Sequence, residues 1–501
     1  MTLAELYVVL LAAGLVVLAS IGAARAATRL GLPSLLLFLA LGVLIGENGL
    51  GLAFDDAQLA QNLGTAALAV ILVEGGITTA WSDVRSVLAP AGVLATVGVG
   101  VSVLVSAAAA HLLLGMDWQL ALLLGAIVSS TDAAAVFAVL RDLPVSRRTA
   151  GLLEAESGFN DAPTVILVLL FATTPLAETS VLGVAANLVY QLAAGGLIGI
   201  VLGRLGVAAL RRIALPASGL YPLATFGIGI VAFAAAGTAQ ASGFIAAYLA
   251  GILLGNAGLP HRAASKSFAE GLGWLAQIGL FVLLGLLITP DELGEQVLPA
   301  LIVGAVLLLL ARPLSVLVCL VPFGVGWRQQ AFVSWAGLRG AVPIVLATYP
   351  IVAGVPGSER ILDIVFVSVV AFTLLQGPTM PLVAQRLRLV AADPARELQV
   401  EAAPLDAIAA VLLTLAVPAG SRLHGVALFE LRLPTPTVVS LIIREGRAVV
   451  PQPVMRLRAG DELLVVTTDG TREGTERRLR AISRRGRLAR WFGEDGDPEP
   501  G

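Results

Sequence analysis

The chain has 501 residues, of which 57% are hydrophobic and only 13% charged, with a net charge of −2 and a mean hydropathy of +0.91. Soluble domains carry about 25% charged residues, so this composition excludes a soluble protein and defines an integral membrane one. Cys319 is the single cysteine and lies in an apolar run, which excludes a disulfide framework or a cysteine metal site. The scattered histidines (His111, His261, His424) argue against a histidine metal cluster.

About 20 apolar residues cross a bilayer as a helix. On that scale the first 390 residues hold about thirteen candidate spans. They lie near 3–24, 32–46, 60–79, 88–112, 118–140, 150–174, 181–210, 220–238, 241–257, 270–289, 297–321, 328–350 and 362–385. Residues 1–24 lack a basic start and are read as a membrane helix, not a cleaved signal. Arg25, Arg29, Arg141, Arg147, Arg148, Arg211, Arg212, Lys266, Arg328, Arg386 and Arg388 fall in loops on one side. Asp55, Asp56, Asp117, Glu178, Asp291, Glu292 and Glu295 fall on the other. The positive-inside rule puts the N-terminus outside and the C-terminus in the cytoplasm.

Near residue 390 the composition changes. Residues 1–389 form the membrane part and 390–404 read as a polar linker. Residues 405–470 read as a small α+β domain, with β-type runs at Ala409–Ala416, Val438–Ile443 and Leu463–Thr468. The last segment, 471–501, holds seven arginines within 476–492, interleaved with Leu479, Ile482, Leu488, Trp491 and Phe492. Two readings fit it: a basic amphipathic helix against anionic lipid or a partner, or a solvated tail helix. An acidic, disordered end follows.

The chemistry lies in "SSTDAAAV" (129–136) and "EAESGFNDAP" (154–163). A carboxyl group at the centre of a membrane helix costs roughly 2.5–3.5 kcal/mol, yet Asp132, Glu154, Glu156 and Asp161 all stand in two adjacent spans. Ser157 precedes Asp161 by four residues and Glu156 precedes Asn160 by four, so each pair stacks on one helix face. These oxygen-bearing neighbours suit a dehydrated alkali cation. A packing network without transport is the plainer reading, but four carboxyls exceed what packing requires. The small residues around Thr131 and Asp132 have a counterpart in "WAGLRGAVPIVLA" (335–347), where Gly337, Gly340 and Pro343 surround Arg339. Two interrupted segments in comparable places point to a transporter with inverted repeats and a midplane site. Arg339 needs a carboxylate at that depth, with Glu156 the first candidate and Glu154 the second. Glu74 reads either as an accessory acid or as an interfacial residue at a span end.

On "STDAAAVF", "AESGFND" and "GLRGAVPI", the chain resembles the monovalent cation:proton antiporter superfamily over about residues 1–390. The match is to its electroneutral sodium/proton exchanger branch. The resemblance implies a 13-span all-α fold with crossed, unwound fifth and twelfth spans, a homodimer, no cofactor, and a place in the bacterial inner membrane. Carried over by motif, Asp161 is the ion- and proton-binding carboxylate, Ser157 and Thr131 are ion ligands, and Asp132 lies beside them. Asn160 stands where electrogenic relatives have aspartate, and Glu156 with Arg339 resembles the family's buried ion pair. Ala133 departs from the proline of many sodium-selective members. Residues 420–466 are similar to the C-terminal domain of potassium-conductance regulators, without the nucleotide-binding half that precedes it there. A nucleotide or cyclic dinucleotide, or no small ligand, fits that domain. The combination resembles bacterial potassium/proton antiporters, which favours K+ over Na+.

Competition between a cation and a proton for Asp161 would give one-for-one exchange, with Asn160 neutral. A regulated cation channel is the alternative, but it would want a carbonyl filter loop, and none is found. A membrane-embedded aspartyl protease would use Asp132 and Asp161 as a shared-proton dyad, but its flanking signatures are absent.

Overall fold

The computed structural model describes residues 2–30, 33–47, 49–52, 54, 56–132, 145–176, 180–288, 290–389, 400–405 and 410–486. Among these, every apolar run named above contains a helix. Among the described residues eight helices are long and apolar enough to cross a membrane, and four shorter apolar ones accompany them. The helix Arg147–Thr173 carries the acidic motif, with Pro163 inside it. The outer surface is apolar: Leu3, Tyr7, Val8, Leu11, Leu15 and Leu18 of the first helix are all exposed. Lipid satisfies such a surface because every backbone polar group is bonded within its helix.

Small residues decide which helices pack most closely. Along Val181–Arg212 the glycines Gly195, Gly199 and Gly203 recur every four residues against Gly243–Asn256. A side chain at Gly199 would run into the Ala246 backbone. Without a hydrophobic force between helices in lipid, close backbone approach of this kind drives association.

The two interrupted segments break where the sequence placed them. The helix Trp118–Ser129 ends in an extended Ser130 (φ −65°, ψ 139°). The twelfth apolar run is two helices, Trp327–Trp335 and Ala341–Val352, with non-helical backbone at Gly340 (φ −141°, ψ −131°) before the second. The breaks touch each other, as the Asp132 amide donates to the Leu338 carbonyl at 3.0 Å. The second half of the 118–140 span, with Ala133, lies outside the described residues.

The chain forms two compact units, Met1–Val390 and Ala391–Gly501. The second is an antiparallel sheet of β1 (Val400–Leu405), β2 (Ala410–Ala416), β3 (Val438–Arg444), β4 (Arg447–Val449) and β5 (Glu462–Thr468). Its order is β1-β2-β5-β3-β4, and the helix Asp469–Arg485 follows β5. Two boundaries need correction. The stretch read as linker ends in β1, whose backbone pairs with β2 from Val400 onward. The helix read as a tail belongs to the domain, for Leu479 and Ile482 are fully buried in one core with Leu413, Leu463 and Val465. Its arginines misled because they form the other face, although Arg478 is buried too and donates to the Leu431 carbonyl at 3.1 Å. Leu488, Trp491 and Phe492 lie outside the described residues.

Candidate cation- and proton-binding site

Asp161, Asn160 and Ser157 leave one face of Arg147–Thr173 and meet the unwound Ser130–Asp132. All are buried. The Ser130 hydroxyl donates to Asp161 Oδ1 at 2.8 Å. Thr131 Oγ1 lies 3.0 Å from Ser157 Oγ and accepts from Asn160 Nδ2. Asn160 Oδ1 has no hydrogen-bond partner among the described residues although it is buried, so a bare carbonyl oxygen stands beside a carboxylate and two hydroxyls. Oxygen sets of this kind hold hard cations.

The crossing of the two broken helices is neutralised reciprocally. Asp132, from the first break, accepts from the Ala341 amide at 2.9 Å, at the start of the helix Ala341–Val352. Arg339, from the second, donates to the Ser129 and Ser130 carbonyls at 3.1 and 2.6 Å, where the helix Trp118–Ser129 ends. A helix start favours negative charge and a helix end positive charge, so each break supplies the charge that the other requires. Gly340 makes the contact possible, since a side chain there would overlap the Asp132 carboxylate. Thr373 Oγ1 steadies the segment by donating to the Arg339 carbonyl at 2.8 Å.

The expected ion pair is corrected. Glu156 is held by Arg312, not Arg339: Nη2 donates to Oε2 at 2.7 Å and Nη1 to Oε1 in a two-pronged pair. Gly337 leaves room for that guanidinium, which a side chain would strike. Arg339 is spent on backbone carbonyls instead. The sequence offered a signal in "LLLLARPLSV" (307–316), a lone charge inside one of the most apolar runs. Glu154, two residues before Glu156 and so on the other side of the helix, lies within electrostatic reach of Asp83 and Tyr248. The Glu74 side chain packs beside Gly273 of the helix Arg262–Leu286.

A polar cluster at crossed helix breaks is an arrangement found in secondary transporters. The sodium/hydrogen exchanger transmembrane profile matches residues 16–386, and the TrkA-C domain profile matches residues 412–480. The chain is 42% identical over 405 residues to the K(+)/H(+) antiporter NhaP of Alkalimonas amylolytica, covering 80% of this chain and 70% of that one. It is 35% identical over 476 residues to the K(+)/H(+) antiporter NhaP2 of Shewanella oneidensis, covering 93% and 82%. Its fold is similar to that of the sodium proton antiporter MjNhaP1 from Methanocaldococcus jannaschii, with a TM-score of 0.65 at 23% identity, covering 76% of this chain and 99% of that one. The chain therefore belongs to the sodium/hydrogen exchanger family: it is a cation/proton antiporter that carries a TrkA-C domain.

Proposed function

We propose that the protein exchanges K+ for H+, one for one, at Asp161. The observation that carries this reading is how the three acids gathered at the crossing are employed. Glu156 is neutralised by Arg312, and Asp132 is engaged at a helix start. Asp161 has a hydroxyl donor and no cationic partner among the described residues. A carboxylate so buried needs either a proton or a cation to compensate its charge. Thr131, Ser157 and the free Asn160 oxygen complete the cation's ligands. Each form is neutral, so either can be carried between the two membrane faces, while the bare anion is held back.

One charge-bearing carrier with a neutral Asn160 makes the exchange electroneutral. The preference for K+ rests on the antiporter relatives of Alkalimonas and Shewanella. Within this reading the protein is a homodimer, the N-terminus is outside, and the TrkA-C domain regulates exchange from the cytoplasm. The test uses proteoliposomes with an imposed pH gradient. Wild type should move protons on addition of K+, and Asp161→Asn, nearly the same in shape, should express normally and move none. Robust exchange by Asp161→Asn would overturn the assignment.

A further inference from the structure

A cavity away from the helix crossing has a volume of about 310 Å3. Trp81, Arg204 and Asn256 form its polar rim, and Val207, Ile252 and Leu253 its apolar wall. The rim is held in place. Asn256 Oδ1 accepts from the Trp81 amide at 3.0 Å, and Nδ2 donates to the Thr79 and Ile252 carbonyls at 2.9 and 2.8 Å. Arg211, almost two turns beyond Arg204 on the same side of the helix, donates to the Ala257 carbonyl. Arg204 itself is exposed and makes no hydrogen bond or ion pair among the described residues.

Depth adds a second constraint. The helix Val181–Arg212 has 32 residues, about 48 Å at 1.5 Å per residue, against a hydrocarbon core about 30 Å thick. Val181 and Leu182 are exposed and apolar at its start; with the core beginning there, Arg204, roughly 35 Å along the helix, reaches the level of the headgroups, and Trp81 is a residue type that favours that level. Among the described residues no carboxylate lines the cavity, so its positive charge has no counter-ion there.

We propose that this cavity binds one anionic phospholipid, with the phosphate paired to Arg204 and the glycerol and first acyl carbons against Val207, Ile252 and Leu253. The volume is at the lower end of small-molecule sites, about 300–1,000 Å3, which suits a phosphoglycerol headgroup whose tails continue into the bilayer. A free phosphate would leave the apolar wall unused. A zwitterionic lipid would bring a cation for which the rim has no acid. The bound lipid ties Val181–Arg212 to Gly243–Asn256 and to the Thr79–Trp81 turn, and it is independent of which cation is exchanged.

The test is thermal unfolding of the full chain in detergent, titrated with dioleoylphosphatidylglycerol, dioleoylphosphatidylcholine or inorganic phosphate. Phosphatidylglycerol should raise the wild-type Tm saturably, and the other two should not. Arg204→Gln should keep the lipid-free Tm and need at least about tenfold more phosphatidylglycerol for the half-maximal shift, the loss of one charged contact. Leu253→Trp, which fills the cavity and leaves Arg204 in place, should lose the shift as well, while Arg212→Gln should keep it. The site is overturned by an equal shift from phosphatidylcholine or phosphate. It is also overturned by an unchanged titration in Arg204→Gln, or by an equal loss in Arg212→Gln.

Discussion

Two arginine–carboxylate pairs, each two-pronged, stand in different surroundings. In the membrane unit, the Glu156 and Arg312 side chains are 2% and 6% exposed. In the second unit, Asp461 binds both Nε and Nη2 of Arg444 at 2.7 Å, and the arginine side chain is 20% exposed. Water can replace a partner only in the second case. The membrane pair therefore locks two helices, Arg147–Thr173 and Arg312–Leu320, and cannot lose one member cheaply. The soluble pair tucks a turn under a sheet, with the Arg458 amide also donating to Asp461 at 2.7 Å.

The largest effect should come from splitting the membrane pair. Arg312→Ala should cost about 3–5 kcal/mol, the penalty of a buried charge left alone, and should abolish exchange. Thermal unfolding in detergent measures it. A double replacement, Arg312→Met with Glu156→Leu, should recover most of the stability, because two buried charges removed together leave none unpaired.

Next comes Arg339→Ala. It removes charge-assisted hydrogen bonds to two carbonyls, worth about 1.5–3 kcal/mol each, but it leaves neutral carbonyls and no unpaired buried charge, so it should destabilise less than Arg312→Ala in the same assay. The reverse order would restore Arg339 as the partner that Glu156 depends on.

Asp461→Asn should cost about 1 kcal/mol, because the arginine it leaves behind reaches water, and should leave exchange intact. Burial works against the charge of Asp461, but the hydrogen bonds from Arg444 and the Arg458 amide outweigh it and hold its carboxyl below the ordinary carboxylate value. The sign follows: the unfolded chain takes up the proton first as pH falls. The contribution is full above about pH 4, the unfolded value, and is lost as pH falls through the lower folded one. Acid unfolding of wild type against Asp461→Asn should converge at low pH. A constant difference down to the acid limit would contradict the pair.

The smallest effect is expected from removing the second unit. Truncation after residue 392 should leave a folded membrane unit whose maximal exchange persists with a shifted pH or cation dependence. Loss of transport from a stable, monodisperse truncation would make that unit part of the carrier cycle.

The sequence made the helix-borne half of the site readable, because Ser157, Asn160 and Asp161 sit on one strip by helix geometry alone. The helix breaks at Ser130 and Gly340 were also legible, from small residues flanking a charge. The partner of Glu156 was not. Spacing along one helix says nothing of which neighbour faces it, and both Arg312 and Arg339 are single cations in apolar runs. Likewise the helix Asp469–Arg485 showed its two faces, but what covers Leu479 and Ile482 depends on a sheet assembled from strands as far upstream as Val400–Leu405. Strand β1 was hidden because "VEAAPL" carries a charge and a proline and pairs by backbone, at the sheet's edge.

The central claim is that a proton and a cation exclude each other at Asp161. The direct measurement is the K+ concentration for half-maximal exchange in proteoliposomes, taken at successive pH values on the acid side of the optimum. Exclusion at one carboxylate predicts that each unit fall in pH raises that concentration about tenfold, by proton linkage, while the maximal rate holds. A half-maximal concentration that stays fixed while the maximal rate falls would mean that the proton acts elsewhere, and would contradict the account.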